Sequence, residues 1–224
     1  MKTKQTGFTL VEIAIVLVII GLLLGGILKG QEMITQAKIK NVINDFNGIT
    51  AAVASYQDRY RALPGDDLNA ATRWSGGVAG DGNGIFNTVG APGACAYNDA
   101  PSTPSGSTDE CNLFWWDLRL SGFVAGTTAA DATSSVQQPN NAANGITGVQ
   151  TTGMGFTSNI VCTSNLPDKI AIAVDTQMDD ATSSTGQIRG YLQTGPNENV
   201  PAATTGFPAY AETGTNTYLV CKSL

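Results

Sequence analysis

Residues 7–28 read GFTLVEIAIVLVIIGLLLGGIL. From Ile13 to Leu28 there are sixteen consecutive apolar or glycine residues, and from Phe8 to Leu28 the only polar ones are Thr9 and Glu12. At about 1.5 Å of rise per residue, the stretch from Phe8 spans about 31 Å, close to the hydrocarbon thickness of a bilayer. Lys2 and Lys4 precede it, so the amino terminus is expected to stay in the cytoplasm while the rest crosses. A secretory signal peptide begins in the same way but needs a small-residue cleavage site after the apolar run. The residues that follow, KGQEMITQAK, offer none, so the apolar segment is expected to remain on the protein. Glu12 is the anomaly. A charge at membrane depth costs roughly 2.5–3.5 kcal/mol on insertion scales and is ordinarily paired. The bland alternative is a side chain that snorkels to the lipid surface.

Beyond Leu28 the pattern changes without stopping. Ile39, Val42, Phe46, Ile49, Val53, Tyr56, Tyr60 and Leu63 recur at alternating spacings of three and four, an apolar stripe along one helix face. Lys40, Asn44, Asp45, Asp58 and Arg59 lie between them on a wet face. Pro64 and Gly65 make the stop. The reading is one helix, apolar all round in its first half (8–30) and amphipathic in its second (31–63). A two-stranded coiled coil is the alternative use of the stripe. Gly21 with Gly25, and Gly26 with Gly30, have the small-xxx-small spacing that permits close helix approach.

The chain has 224 residues and a net charge of −6, with 12 basic and 18 acidic residues and no histidine. An acidic balance argues against a general nucleic-acid binder, which needs a basic face to release counterions. The missing histidine removes the commonest general base and zinc ligand, and no paired-acid cleft is evident, so an enzyme is not expected. Cys95, Cys111, Cys162 and Cys221 are even in number, lie on the side that would be exported and form no C-x-x-C pair. Two disulfides in an oxidising compartment follow. Of the three possible pairings, Cys95–Cys111 and Cys162–Cys221 join segments that a loop and a sheet would already bring together.

The rest, 64–224, reads as a head. In DECNLFWWDLRLSGFVAG (109–126), Asp109 or Ser107 can cap a short helix and Gly122 can end it. Residues 124–157, low in charge and rich in Thr, Ser, Asn, Gly and Ala, read as surface loops. KIAIAVD (169–175) reads as a strand with Ile170, Ile172 and Val174 on one face, and GQIRGYLQ (186–193) and NTYLVCK (216–222) can pair with it. The expected class is α+β: a long amino-terminal helix packed on a small antiparallel sheet. Two acidic groupings stand on Gly-rich segments, PGDDLN with GDGNG and DTQMDDATSSTGQ. Oxygen ligands of this kind can hold Ca²⁺. Asp175, Asp179 and Asp180 are the calcium candidate, with turn and capping chemistry as the alternative.

The short basic leader, Gly7, the aromatic Phe8, Glu12 four residues later and the apolar run together resemble the processing site of type IV prepilins and of the pseudopilins of type II secretion. The YRALPGDDLNAATRW, GDGNGIF and DECNLFWWDLRLSGFVAG stretches are similar to the heads of bacterial prepilin-like proteins. The resemblance implies a prepilin peptidase that removes residues 1–7 by cutting between Gly7 and Phe8, and N-methylation of Phe8. It implies an ammonium on Phe8 that pairs with Glu12, in its own chain or a neighbour's, as a register device. It also implies an inner-membrane assembly platform with its ATPase, and self-association into a helical filament. The subunit would lie in the inner membrane first, and afterwards in a surface pilus or a periplasmic pseudopilus. A pilus subunit is favoured over a minor pilin or pseudopilin. The rival from another class is a membrane-anchored adhesive or binding module.

Overall fold

The computed structural model describes residues 7, 9–89, 95–202 and 207–224. The chain divides into two compact units, Met1–Lys38 and Ile39–Leu224. The first helix, α1 (Leu10–Tyr60), belongs in part to each.

In the first unit α1 is uncovered. Its most apolar window has a mean hydropathy of 2.8 with none of its residues buried. Leu10 and Leu22 are 88% and 74% exposed. No other part of the described chain supplies a partner for this surface, which is the condition of a helix that seeks lipid or another protein.

In the second unit the stripe of α1 is buried as its spacing predicts. Ile39, Val42, Phe46, Ile49, Val53 and Tyr56 are all in the core, and Ala52 joins them. The helix ends at Tyr60, before Pro64, and Arg61 takes a left-handed conformation. Leu63, the last position of the stripe, packs on the core from outside the helix. Gly65 (φ +86°) follows, where a Cβ would collide with the backbone of Glu110 and Phe114, so the chain crosses the next helix at a distance only glycine allows.

Two further helices, α2 (Ala70–Arg73) and α3 (Glu110–Leu120), come before the sheet. Gly122 (φ +78°) ends α3 as expected. Asp109 occupies its cap position but makes no side-chain cap bond; it accepts from the Thr88 hydroxyl at 2.8 Å instead. Trp115, Trp116, Phe114, Leu113 and Leu118 are buried around the helix, with Phe86 and Phe114 edge to face at 5.5 Å.

The sheet has four antiparallel strands, β1 (Thr147–Gly153), β2 (Phe156–Pro167), β3 (Ile188–Leu192) and β4 (Thr217–Ser223), in the order β1-β2-β4-β3. The long amino-terminal helix and this sheet make the chain α+β. Both faces of the sheet are covered. Val149, Val161, Ile188, Tyr218 and Val220 meet α1, α3 and α4 (Asp168–Met178), while Ile160, Cys162, Leu219 and Cys221 meet Tyr97 and Met154 on the other side. Cys162 and Cys221 stand opposite one another in the β2–β4 register and are bonded. Cys95 is bonded to Cys111 at the start of α3.

Two expectations are corrected. Residues 169–175 are helical, inside α4, not a strand. Ile170, Ala171, Val174 and Asp175 form its buried face, an i, i+1, i+4, i+5 pattern that the alanines at 171 and 173 had disguised as alternation. Pro167 ends β2, and its fixed φ stands directly before the helix. The predicted strands 186–193 and 216–222 are present, but their partners are β2 and each other.

The 124–157 stretch is also not plain surface loop. It holds β1 and buries Ser135, Gln138, Asn141, Thr147, Gln150 and Thr151. Its polarity is satisfied internally. Asn141 Nδ2 donates to Thr163 Oγ1 and the Ser164 carbonyl, each at 2.7 Å. Asn141 Oδ1 accepts from Ala143 and Gly145 N–H groups. The Arg119 guanidinium donates to the Ser135 and Gln137 carbonyls. Buried polar groups that find partners of this kind can lie in the interior.

Candidate functional site

The amino-terminal junction is built locally before anything binds it. Thr9 lies one residue ahead of the start of α1, and Glu12 stands in its first turn. The Thr9 N–H donates to Glu12 Oε2 at 2.8 Å, and the Glu12 N–H donates to Thr9 Oγ1 at 3.3 Å. The Thr9 hydroxyl also donates to Glu12 Oε2 at 2.8 Å. This is a capping box, Thr-x-x-Glu, in which cap and third residue satisfy each other's orphan donors. The carboxylate also stands at the positive end of the helix dipole. Gly7 is exposed. Phe8, the expected site of cleavage, methylation and pairing to Glu12, lies outside the described residues.

Residues 2–28 match the family described as the prokaryotic N-terminal methylation motif. The chain carries a prepilin-type signal. That signal is of the kind carried by type IV pilin-like and pseudopilin precursors, and it runs into an apolar helix long enough to cross a membrane. No curated protein and no solved structure matches the chain.

The head gathers two acid groupings. Asp175, Asp179 and Asp180 come together at the end of α4, with carboxylate oxygens within 4.8 Å of one another. Each is also engaged by the chain. Asp175 accepts from the Tyr210 hydroxyl at 2.8 Å and Ala181 N–H at 3.0 Å. Asp179 accepts from Ile188 N–H, and Asp180 from Thr182 N–H and the Thr185 hydroxyl. Burial pushes Asp175 up to about 6, against the hydrogen bonds that oppose it.

The PGDDLN and GDGNG segments do not act as one group. Asp66 joins Asp81 and Glu110, while Asp67 turns away to Arg73. Asp66 Oδ1 accepts from Gly82 and Asn83 N–H, and Oδ2 from Gly84 N–H. Glu110 accepts from Asp81 N–H at 3.0 Å and Asn87 N–H at 2.9 Å. Glu110 is wholly buried, and burial pushes it up to about 7 even with those two donors. Sequence reading missed Glu110. It looked like ordinary helix-start acid, and only the bonds it makes to the 81–87 loop show otherwise. The capping box was readable in TLVE (9–12), since Thr-x-x-Glu before an apolar run is its signature.

Proposed function

We propose that this protein is a structural subunit of a type IV pilus-like filament. Its leader 1–7 is removed at Gly7–Phe8, Phe8 is N-methylated, and the mature chain polymerises through the first half of α1. The observation that carries the reading is the direct passage of the methylation signal into an apolar helix with none of its most apolar window covered. Such a surface is stable in lipid before assembly and in a helix bundle afterwards, where neighbouring helices replace the acyl chains. The two disulfides of the head suit life outside the reducing cytoplasm. A secretion pseudopilin uses the same assembly chemistry and is the alternative within the class.

The test is the mass of the mature protein together with its location. Loss of residues 1–7, one added methyl group and recovery of the chain in sheared surface filaments support a pilus subunit. Assembly only when overexpressed, with the chain otherwise retained in the periplasm, points to the pseudopilin. A mature chain that retains residues 1–7 and stays monomeric in the membrane overturns both and leaves the anchored binding module. Calcium at Asp175, Asp179 and Asp180 is a secondary proposal, supported by their convergence. A calcium titration that leaves Tm unmoved removes it.

A further inference from the structure

Past the apolar run, exposed hydrophobic side chains become rare. Among the described residues only four large ones beyond Leu28 are exposed: Met33, Ile34, Leu68 and Ile85. The first two lie on α1 just past Leu28. The other two flank one groove at the far end of α1. Two cavities there, of about 530 and 360 Å³, share Gln57, Leu63 and Gly84 as walls; Leu68 lines the first and Ile85 the second. Leu68 is 59% exposed and Ile85 44%. Apolar side chains held in water at the rim of a concave surface mark an interaction site.

The groove is preformed. In the turn between Leu63 and Asp66, the Gly65 N–H donates at 2.7 Å to Asp117 of α3, a carboxyl that burial pushes up to about 7. The Tyr56 hydroxyl donates to Asp67 Oδ2 at 2.9 Å, and Asp66 takes the Gly82, Asn83 and Gly84 N–H groups. These bonds tie the turn to α1, to α3 and to the 82–84 loop, so an occupant has little left to order.

The two exposed apolar pairs sit among opposite charges. Residues 33–40 hold Lys38 and Lys40 and no acid, and Lys38 lies four positions past Ile34 on the same face of α1. Asp66, which lines the larger cavity, converges with Asp81 and Glu110. Among the described residues neither lysine is paired with an acid, and none of the three carboxyls with a base. Burial pushes Glu110 up, and the charges of Asp66 and Asp81 add to it, so an ammonium is the group this wall lacks. Ile34 and Tyr60, which borders the groove, stand about 26 residues apart on one helix, or about 39 Å. The segment that complements the groove therefore comes from another copy.

We propose that the groove at the end of α1 receives residues 33–38 of α1 from a second copy of this chain, with Met33 and Ile34 against Leu68 and Ile85 and Lys38 towards the Asp66 wall. The inference rests on the filament reading and adds to it a second contact, outside the apolar run. Parallel helices make this contact at a stagger of about 39 Å. The apolar pairs supply the attraction, and the opposite charges fix the register and reject a slipped partner.

The experiment is photocrosslinking in assembling cells, with Ile34→p-benzoylphenylalanine in the full-length chain and the adducts mapped by mass spectrometry. The expected product is a covalent dimer that joins position 34 of one copy to residues 57–85 of another. Leu68→Lys combined with Ile85→Lys should lower the yield of that dimer at least five-fold, and Lys38→Glu should lower it several-fold. Should the double variant lose the thermal transition of the head, Lys38→Glu, which lies outside the head, decides. Adducts of position 34 only with lipid, with another protein or with a different face of the head overturn the contact, as does a dimer yield that Lys38→Glu leaves unchanged. Sheared filaments from the same cells separate this inference from the reading it rests on. Filaments whose position 34 misses the groove leave that reading standing and remove the contact, whereas a chain that keeps residues 1–7 and forms no dimer removes both.

Discussion

The carboxylate of Glu12 accepts both the backbone N–H and the hydroxyl of Thr9, each at 2.8 Å. An acid at the head of an apolar helix thus has a use inside its own chain, whatever ammonium it later meets. The two uses separate by substitution. Glu12→Gln keeps a capping-box partner, since Gln serves at that position, but removes the charge. Thr9→Ala removes the cap and keeps the charge, at a cost of about 1 kcal/mol to the helix start. If pairing with the Phe8 ammonium drives assembly, Glu12→Gln abolishes filaments while Thr9→Ala only lowers their yield. Filament recovery by shearing reads the difference, and wild-type yield from Glu12→Gln would show that capping is the whole role of Glu12.

Gly21, Gly25, Gly26 and Gly30 have nothing within 4 Å of the position a Cβ would take. No contact among the described residues requires them to be small, and each weakens the helix by up to about 1 kcal/mol relative to alanine. Their use is expected between helices. Gly25→Ala should therefore raise helix stability in micelles, and Gly25→Leu should do so to a lesser degree. Both should reduce filament yield, the leucine more. A leucine variant that assembles normally would place this face away from any helix contact.

What could be read from sequence followed from where polarity and burial agree. The α1 stripe was legible because its 3-4 spacing is the helix period and every position from Ile39 to Tyr56 is in fact buried. In residues 169–175 the alanines carry no polarity, so the alternation of Ile with Ala was one of size, and the helix could not be told from a strand. β1 was hidden by burial of Thr147, Gln150 and Thr151, whose hydrogen bonds are visible only in three dimensions. Of the candidate site, the signal around Gly7 was legible because it is linear. Glu110 and Asp117 were not, because their partners lie 23 to 52 residues away.

The disulfides differ in what they close. Cys162–Cys221 spans 59 residues and staples β2 to β4 in the middle of the sheet, whereas Cys95–Cys111 spans 16. On loop-closure entropy the first contributes about 4 kcal/mol and the second about 3 kcal/mol. Replacing Cys162 and Cys221 together by alanine should lower the denaturation midpoint more than replacing Cys95 and Cys111. Equal losses would mean that the loop 95–111 holds more of the native core than its length implies.

Asp168 works in the opposite direction to Asp117. Burial opposes its ionisation, but N–H groups of Gly214, Lys169 and Thr213 converge on the carboxylate at 2.6–2.8 Å and hold it below the usual aspartate range. Its contribution is present above the unfolded value near pH 3.9 and is lost as pH falls through the lowered native value. For Asp117 and Glu110, raised to about 7, the contribution is complete below about pH 4 and is lost as pH rises towards 7. The head should therefore be most stable near pH 4 and lose stability on both sides. Asp168→Ala leaves three N–H groups without their acceptor, frees the 211–216 turn from the start of α4, and should cost about 2–4 kcal/mol at pH 6. Since the variant lacks the group that acid protonates, its deficit should shrink as pH approaches 3. Thermal unfolding at pH 3, 6 and 8 measures both effects, and a deficit that is the same at pH 3 as at pH 6 would mean that Asp168 contributes through packing and not through its charge.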